Sequence, residues 1–588
     1  MVVLAPDRVP LGRWPRTVSQ PADLGQQLAV NTIIHGPYFG EAPGGLLSVN
    51  GPPGTGKTTM LRDLIAALIV GRAERLAELD DPLEAFEDEP IRFRAGTQPR
   101  TVHVLKEEFT GSEIVLACAT NAAAENVSVE IPLADAIAPE WHGRIDYFTE
   151  IATNVLSAKN GADEGTPRQA WALIAARLGS ITRCNSFASA FWFGQRGGGA
   201  TNGDTDDGEQ LGLLRILKDH ELPPGDWQDA VAEFHAALDA ATAAEGERET
   251  AAQLFAELDT AQREAEEHAA ELPAAQTSLQ RAQDALEALK RPISRCESEH
   301  ALCLQALERH RAARPRLAEV LFSLGRIARE WRARDYELAA QLSAAERSLT
   351  DAQQRHASGE RTVGGTEKRV RHHEVGERTA REQAAELEQQ IAEFGAQWED
   401  LFPGSVFPDE HWAQDSERAR RELRAPWLDE AWDAARTEVF LAALRLHQAF
   451  VLATASKIRH SLSVAIDVMR DGSLSDIPSD AALAAWQCLF MVVPVISTTF
   501  ASVARLFRHL EQEALGFLLI DEAGQSTPQN AAGAIWRSRY TVIVGDPLQL
   551  EPVVTLPLGA QRDLQVAHGV PEALLPSHCS VQSLADAV

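Results

Sequence analysis

The chain has 588 residues, 45% of them hydrophobic, and a formal net charge of −30. At about 150 residues per domain it has room for several domains with real cores. Its acidity excludes indiscriminate adhesion to nucleic acid or anionic membranes, though not a local basic groove, because phosphate contacts depend on where cations lie.

Met1 to Pro15 carries early charge and prolines where a signal peptide needs an apolar core. A short apolar segment, Leu46-Leu47-Ser48-Val49, then reads as a buried strand. It leads into Gly51-Pro52-Pro53-Gly54-Thr55-Gly56-Lys57-Thr58, which fits the phosphate-loop pattern G-x-x-x-x-G-K-[ST]. Beyond it, Met60, Leu61, Leu64, Ile65, Leu68 and Ile69 fall at helical spacing. Strand, glycine loop and helix start together form a cradle for a polyphosphate, with backbone N–H groups and the helix N-terminus facing the oxygens. Residues 51–58 and Thr59 are therefore expected to bind ATP. Lys57 is expected on the β and γ phosphates, and Thr58 on Mg²⁺. The acidic patch 78–89 reads as a solvated loop.

Residues 1–155 have the alternating texture of an α/β domain, and 156–245 are mixed and helical, broken by a glycine-rich, flexible stretch from Gly197 to Gly208. In 246–400 the texture changes. Leu254, Leu258, Ala261, Ala265, His268, Leu272, Ala275, Leu279, Ala282, Leu286 and Leu289 alternate by four and three, a heptad seam. A second seam runs through Leu338, Leu342, Ala345, Leu349 and Ala352, weakens at Gly359, Gly364 and Gly365, and resumes at Ala380, Ala384, Leu387, Ile391 and Phe394. Two arms joined by a turn-rich region near Pro292 and Pro315 suggest an antiparallel coiled-coil stalk, the first arm roughly 50 Å long. Pro273 should kink it and the glycines should loosen the second arm. Two ordinary amphipathic helices of a bundle are the alternative.

A helical return segment spans 401–480, and 481–588 is globular again, with strands expected at 492–496, 517–520 and 540–544. The apolar stretch 489–500 contains Pro494 and is too short to cross a bilayer; a buried strand is expected there. The strand at 517–520 ends in Asp521-Glu522. Beside a phosphate loop, the first acid suits Mg²⁺ and the second suits orienting and deprotonating the attacking water. The strand at 540–544 ends in Gly545-Asp546-Pro547-Leu548-Gln549, where an amide beside the γ phosphate can sense its loss. Six cysteines (Cys118, Cys184, Cys296, Cys303, Cys488 and Cys579) show no metal-ligand spacing and read as reduced cytoplasmic thiols.

These segments resemble superfamily 1 helicases of the 5′–3′ branch that contains the nonsense-mediated-decay RNA helicase. Residues 51–58 resemble motif I, 521–525 motif II, and 544–552 motif III. Gln26, ahead of Ala29-Val30, resembles the adenine-reading glutamine of the Q motif. Residues 115–126 resemble motif Ia, and Ser497-Thr498-Thr499 a further strand-end motif. The resemblance implies a RecA-like parallel sheet interrupted by a long helical insertion. It also implies ATP and Mg²⁺ as cofactors, Lys57, Asp521, Glu522 and Gln549 as catalytic groups, and single-stranded nucleic acid held by Thr120, Asn121, Thr498 and Pro552. A helix-capping turn is the plainer reading of Thr120 and Asn121.

In that family a second RecA-like motor follows motif III, and 554–588 cannot hold one. The expectation is a fragment, a split gene product or an unusually reduced member of the family, with any second motor on a missing segment or a separate chain. Such a chain should bind ATP but hydrolyse it slowly, since a lost arginine finger costs about 10³–10⁵ in rate. Two other readings share the layout. Coiled-coil chromosome-maintenance ATPases need an L-S-G-G-Q-like run that does not precede Phe517. A nucleotide-switched scaffold, with the stalk binding another protein, is the non-enzymatic option. The spatial expectation is that Lys57 and Glu522 meet one triphosphate tail across neighbouring strands.

Overall fold

The computed structural model describes residues 2–35, 45–120, 129–158, 168–194, 211–219, 225–408, 418–470, 476–548 and 551–587. The chain divides into two compact units, one of residues 1–250 with 395–588 and one of residues 251–394.

The first unit is built on a parallel sheet. Its strands in chain order are β1 (Gly45–Asn50), β4 (Ile114–Cys118), β5 (Ala175–Arg177), β6 (Val495–Thr499), β7 (Leu515–Ile520) and β8 (Ser538–Gly545); β2 (Ile91–Ala95) and β3 (Gln98–Val102) form a separate antiparallel hairpin. The spatial order is β1-β8-β7-β4-β6-β5, with every pairing parallel. The α/β fold class and the long helical insertion expected from the sequence are both present. β4, β6 and β7 are buried throughout, as strands covered on both faces should be. Register brings Asn50 level with Gly545, and Ala117 level with Ile520 and Thr498, so the carboxyl ends line one edge. Ligands of open parallel sheets bind at such an edge.

Three strand expectations needed adjustment. β5 was hidden in an apolar run, 170–176, that periodicity alone does not assign to helix or strand. β6 begins three residues later than expected because the helix Ser479–Val492 persists to its C-cap at Val493. For the same reason only part of 489–500 is strand. Finally, β1 and β7 are not neighbours: β8 stands between them. No single helix among the described residues is long and apolar enough to cross a membrane.

The helix Lys57–Ala77 runs back from the end of β1 and packs on the helix Glu430–Ala453. A buried ion-pair frame ties the two to the N-terminal segment. Asp63 accepts from the Trp14 backbone N–H (3.1 Å) and pairs with Arg16 (2.6 Å). Asp433 pairs with Arg13 (3.3 Å) and Arg436 (3.0 Å). Burial works to raise the Asp63 carboxyl, but Arg16 and Arg13 outweigh it and hold it below the usual range. Arg13 is pushed down to about 10 by burial, against the pull of Asp433. Within the same unit Arg248 sits over the rings of Phe402 (4.4 Å) and Trp432 (5.0 Å), donates to the Trp427 carbonyl (3.0 Å) and pairs with Asp429.

In the second unit two long helices carry the chain: Asp226–Ala312, whose first part belongs to the sheet unit, and Arg326–Leu401. They run antiparallel there, since partners climb one helix as they descend the other. Gln262 bonds Glu388, His268 meets His373, and Arg311 pairs with Asp335. Ala261, Ala265, Ala275, Ala380, Ala384, Leu387 and Ile391 are buried, all positions of the predicted seams. The turn lies at 313–325, at Pro315 as expected and not at Pro292, and the first helix is continuous through both Pro273 and Pro292. Both prolines are exposed, so the carbonyls they leave without an N–H partner can turn to water. The second helix is continuous through Gly359, Gly364 and Gly365. Gly359 is a packing residue: a β-carbon there would lie 3.0 Å from Leu286.

Candidate nucleotide site

The loop after β1 needs its glycines. Gly54 (φ 82°) and Gly56 (φ 71°) are left-handed, a region where side chains are strained. A β-carbon on Gly51 would meet Thr55 Oγ1 at 2.7 Å, and one on Gly56 would meet Gln26 Nε2 at 2.1 Å. Gln26, on the helix Leu24–His35, lies over the loop and donates to the Thr55 carbonyl (3.2 Å). Pro52, Pro53, Gly54 and Thr55 are exposed, whereas Lys57, Thr58 and Thr59 are half-buried in the first turn of the following helix. Lys57 Nζ donates to the carbonyls of Gly51 (2.6 Å) and Pro52 (3.2 Å). An arriving phosphate would exchange those neutral acceptors for charged ones, a stronger bond.

Two other strand ends interlock with this loop. The Gly51 N–H donates to the Gly545 carbonyl at 2.9 Å, joining the glycine loop to the end of β8. A β-carbon on Gly524 would lie 2.7 Å from the Asp546 carbonyl, and one on Gly545 would lie 3.1 Å from the Ala523 and Gly524 nitrogens. The turns after β7 and β8 are therefore in backbone contact. Asp521 accepts from the Glu522 N–H (2.9 Å), and Gln525 Nε2 donates to Glu522 Oε2 (3.1 Å). Glu522 itself is at φ 53°. A non-glycine residue held there costs about 1–3 kcal/mol, a strain found where side-chain direction matters. Asp546 Oδ1 accepts from the Leu548 N–H (2.9 Å) and shapes the turn after β8.

The acids outnumber the local cations. Asp521 is raised from its ordinary 3.8 to about 6, first by burial, then by Glu522 and Glu130, while the Glu522 N–H and Lys57 oppose the rise. Lys57, which follows β1, thus acts on Asp521 although β8 stands between their strands. Beneath the site, burial and Asp521 together push the Cys118 thiol up. A carboxylate pair short of positive charge fits a divalent cation. Loop, lysine, Thr58 and Asp521 are thus a donor set suited to a nucleoside triphosphate with Mg²⁺.

The nucleic-acid candidates are less uniform. Thr120 is exposed just past β4, and Pro552 is half-buried beyond β8. Thr498 is fully buried within β6, its hydroxyl lacking a hydrogen-bond partner. A contact from its side chain to an external strand is not available in this arrangement, because alternate residues of a two-sided sheet all point into packing. Asn121, Gln549 and the glycine-rich stretch fall outside the described residues. Sequence reasoning passed over Glu130, which pairs with Arg62 (3.6 Å) on the loop's helix. It also assigned no role to Gln525, although its place three residues after Glu522 is the spacing of one turn.

Residues 481–556 match a family model described as an AAA domain. That span contains β6, β7, β8 and both acids. No curated protein and no solved structure matches the chain. The six-stranded parallel sheet with its long helical insertion is an α/β fold of the P-loop type, and its 481–556 segment is similar to an AAA domain.

Proposed function

We propose that the chain is the first, ATP-binding motor of a superfamily 1 helicase, coupling ATP hydrolysis to movement on single-stranded DNA or RNA. The observation that carries this reading is the interlock of three turns at one sheet edge, Gly51 bonded to Gly545 and Gly524 packed on Asp546. A shift at the phosphate loop is thereby passed to Gly545 and Asp546 at the end of β8 through backbone rather than through mobile side chains. Rigid contacts of this kind let a small displacement bias a larger one.

In the proposed cycle Lys57 leaves the Gly51 and Pro52 carbonyls for the β and γ phosphates. Thr58 and Asp521 would hold Mg²⁺, which when bound would neutralise charge developing on the phosphoryl oxygens. Glu522, aimed by Gln525, orients the attacking water and receives its proton. Gln26 recognises the adenine, Gln549 senses the γ phosphate, and Thr120, Asn121 and Pro552 touch the strand. A second RecA-like motor would supply arginines and the opposite half of the grip.

An ATPase assay with and without single-stranded DNA or RNA tests this. Stimulation by nucleic acid is expected, and Glu522→Gln should lower turnover by about 10²–10⁴ while ATP still binds. Turnover indifferent both to nucleic acid and to that substitution would instead favour a nucleotide-switched scaffold.

A further inference from the structure

The chain's charge is −30, yet residues 309–334 hold eight arginines (309, 311, 314, 316, 326, 329, 332 and 334) against Glu319 and Glu330, a balance of +6. They surround the turn of the second unit, where the first long helix ends at Ala312, a short helix Leu317–Phe322 follows, and the second begins at Arg326. All eight are exposed. Arg311, Arg326 and Arg334 have local acidic partners, Asp335, Glu330 and Glu337. The other five make no ion pair among the described residues.

Between the two arginine-rich stretches lies an apolar point. Leu317, Leu321, Phe322 and Leu324 are 83%, 76%, 93% and 92% exposed. Leu324 (φ 48°) and Gly325 (φ 78°) are both left-handed, which reverses the chain tightly. The base of the turn is clasped. The His310 ring stacks on Trp331 at 4.9 Å, Trp331 Nε1 donates to the His310 carbonyl (3.2 Å), and His310 Nε2 lies 3.0 Å from the Trp331 carbonyl. Four bulky apolar side chains are thus held in water on a braced support.

A polyanion with accessible apolar faces complements this arrangement. Guanidinium forks match phosphate oxygens, and Leu or Phe wedges insert where bases are unstacked. A lipid surface fits less well. Interfacial binding uses a helix laid flat along a broad apolar face, whereas here the apolar residues cap a reversal whose longest helix has six residues. We propose that this turn is a nucleic-acid-binding tip that engages the junction of paired and unpaired strands. The arginines hold phosphates on both sides of the junction, and Leu317, Leu321, Phe322 and Leu324 pack on the bases exposed where the duplex ends. None of these residues belongs to the nucleotide site.

The test uses the full chain and fluorescence anisotropy with a labelled forked DNA, a blunt duplex and a single strand, in the absence of nucleotide. Vesicles with and without phosphatidylserine form a parallel arm. The fork should bind tightest. Replacing Arg314, Arg316, Arg329 and Arg332 together by Gln should weaken all DNA binding and flatten the log K against log salt plot by about 0.7–0.9 per lost contact. Phe322→Ser with Leu324→Ser should keep that slope but lose roughly tenfold of the fork's advantage. Both variants change exposed residues, and unstimulated ATP turnover should survive in each, so a failed tip is distinguishable from a failed motor. Wild-type binding by both variants, no DNA binding at all, or tip-dependent binding only to phosphatidylserine vesicles would overturn the proposal.

Discussion

The two units use ion pairs in opposite ways. In the sheet unit Asp433 is fully buried between Arg13 and Arg436, and Asp63 is nearly so beside Arg16. In the helical unit Arg263–Asp259 and Arg295–Glu299 lie on solvent-facing helix surfaces, more than half exposed. Buried charges are costly unless each has partners, so they tolerate little displacement. That intolerance suits a unit whose phosphate loop must meet acids from two other strand ends. The helical unit needs only to stay helical, paired and soluble, and its exposed i,i+4 pairs achieve that cheaply. Fixed geometry, on this comparison, is obtained by burying charge in networks.

The sharpest way to break the comparison is to remove one acid from each unit. Asp433→Ala would leave Arg13 and Arg436 buried without their shared carboxylate. The sheet unit should lose about 3–5 kcal/mol, measured by denaturant unfolding followed through its tryptophans. Asp259→Ala should cost no more than about 0.5 kcal/mol. Equal losses would mean that burial is not what separates the two sets of pairs.

Asp521 gives the next largest effect, with its own sign. Its carboxyl is raised from 3.8 to about 6, so in that interval the folded chain keeps a proton that the unfolded chain has lost. Stability therefore falls as pH rises through the interval, and above it Asp521 opposes folding by roughly 1–3 kcal/mol. Asp521→Asn should raise the melting temperature of the nucleotide-free protein at pH 7.5, and the gain should vanish below about pH 4. On the proposed reading Asp521 holds Mg²⁺ as the carboxylate, so nucleotide binding in wild type should weaken by up to about tenfold per pH unit below 6. A pH-independent difference between the two proteins would remove the burial argument.

The parts legible in the sequence were those written in adjacent residues. Glycine spacing marked the phosphate loop, an apolar run closed by Asp521 and Glu522 marked β7, and heptad alternation marked the paired helices. What stayed hidden depended on residues that only folding brings together. Arg13 bonds Thr437 across 424 positions, and nothing near either residue announces the other. Arg248 looks like one more charge in an amphipathic helix, yet it ends among Phe402, Trp427 and Trp432. The insertion of β8 between β1 and β7 was equally unreadable, because strand order in a parallel sheet is set by crossovers rather than by any strand's composition. Proline and glycine in the long helices misled for a related reason. Local propensity is worth about 1 kcal/mol at a glycine, and continuous pairing with the other helix overrides it.

That last point has a test in which the sign of the effect carries the information. Gly364 has open space where a β-carbon would go, whereas one on Gly376 would lie 2.3 Å from His268 Nε2. Both lie inside the same uninterrupted helix. Gly364→Ala should therefore stabilise the helical unit by about 0.5–1 kcal/mol, the ordinary gain of alanine over glycine in a helix. Gly376→Ala gains the same propensity but must displace the His268 ring from His373, whose Nδ1 lies 3.2 Å from its own. Overpacking of that kind costs about 1–3 kcal/mol, so the net change should be a loss or close to zero. Hydrogen exchange of amides in 360–380 reads both variants in one experiment. Slower exchange for Gly364→Ala with unchanged or faster exchange for Gly376→Ala would mark the first glycine as tolerated and the second as required by packing. Slower exchange in both would mean that the His268 ring moves aside freely and that neither glycine is there for the sake of the opposite helix.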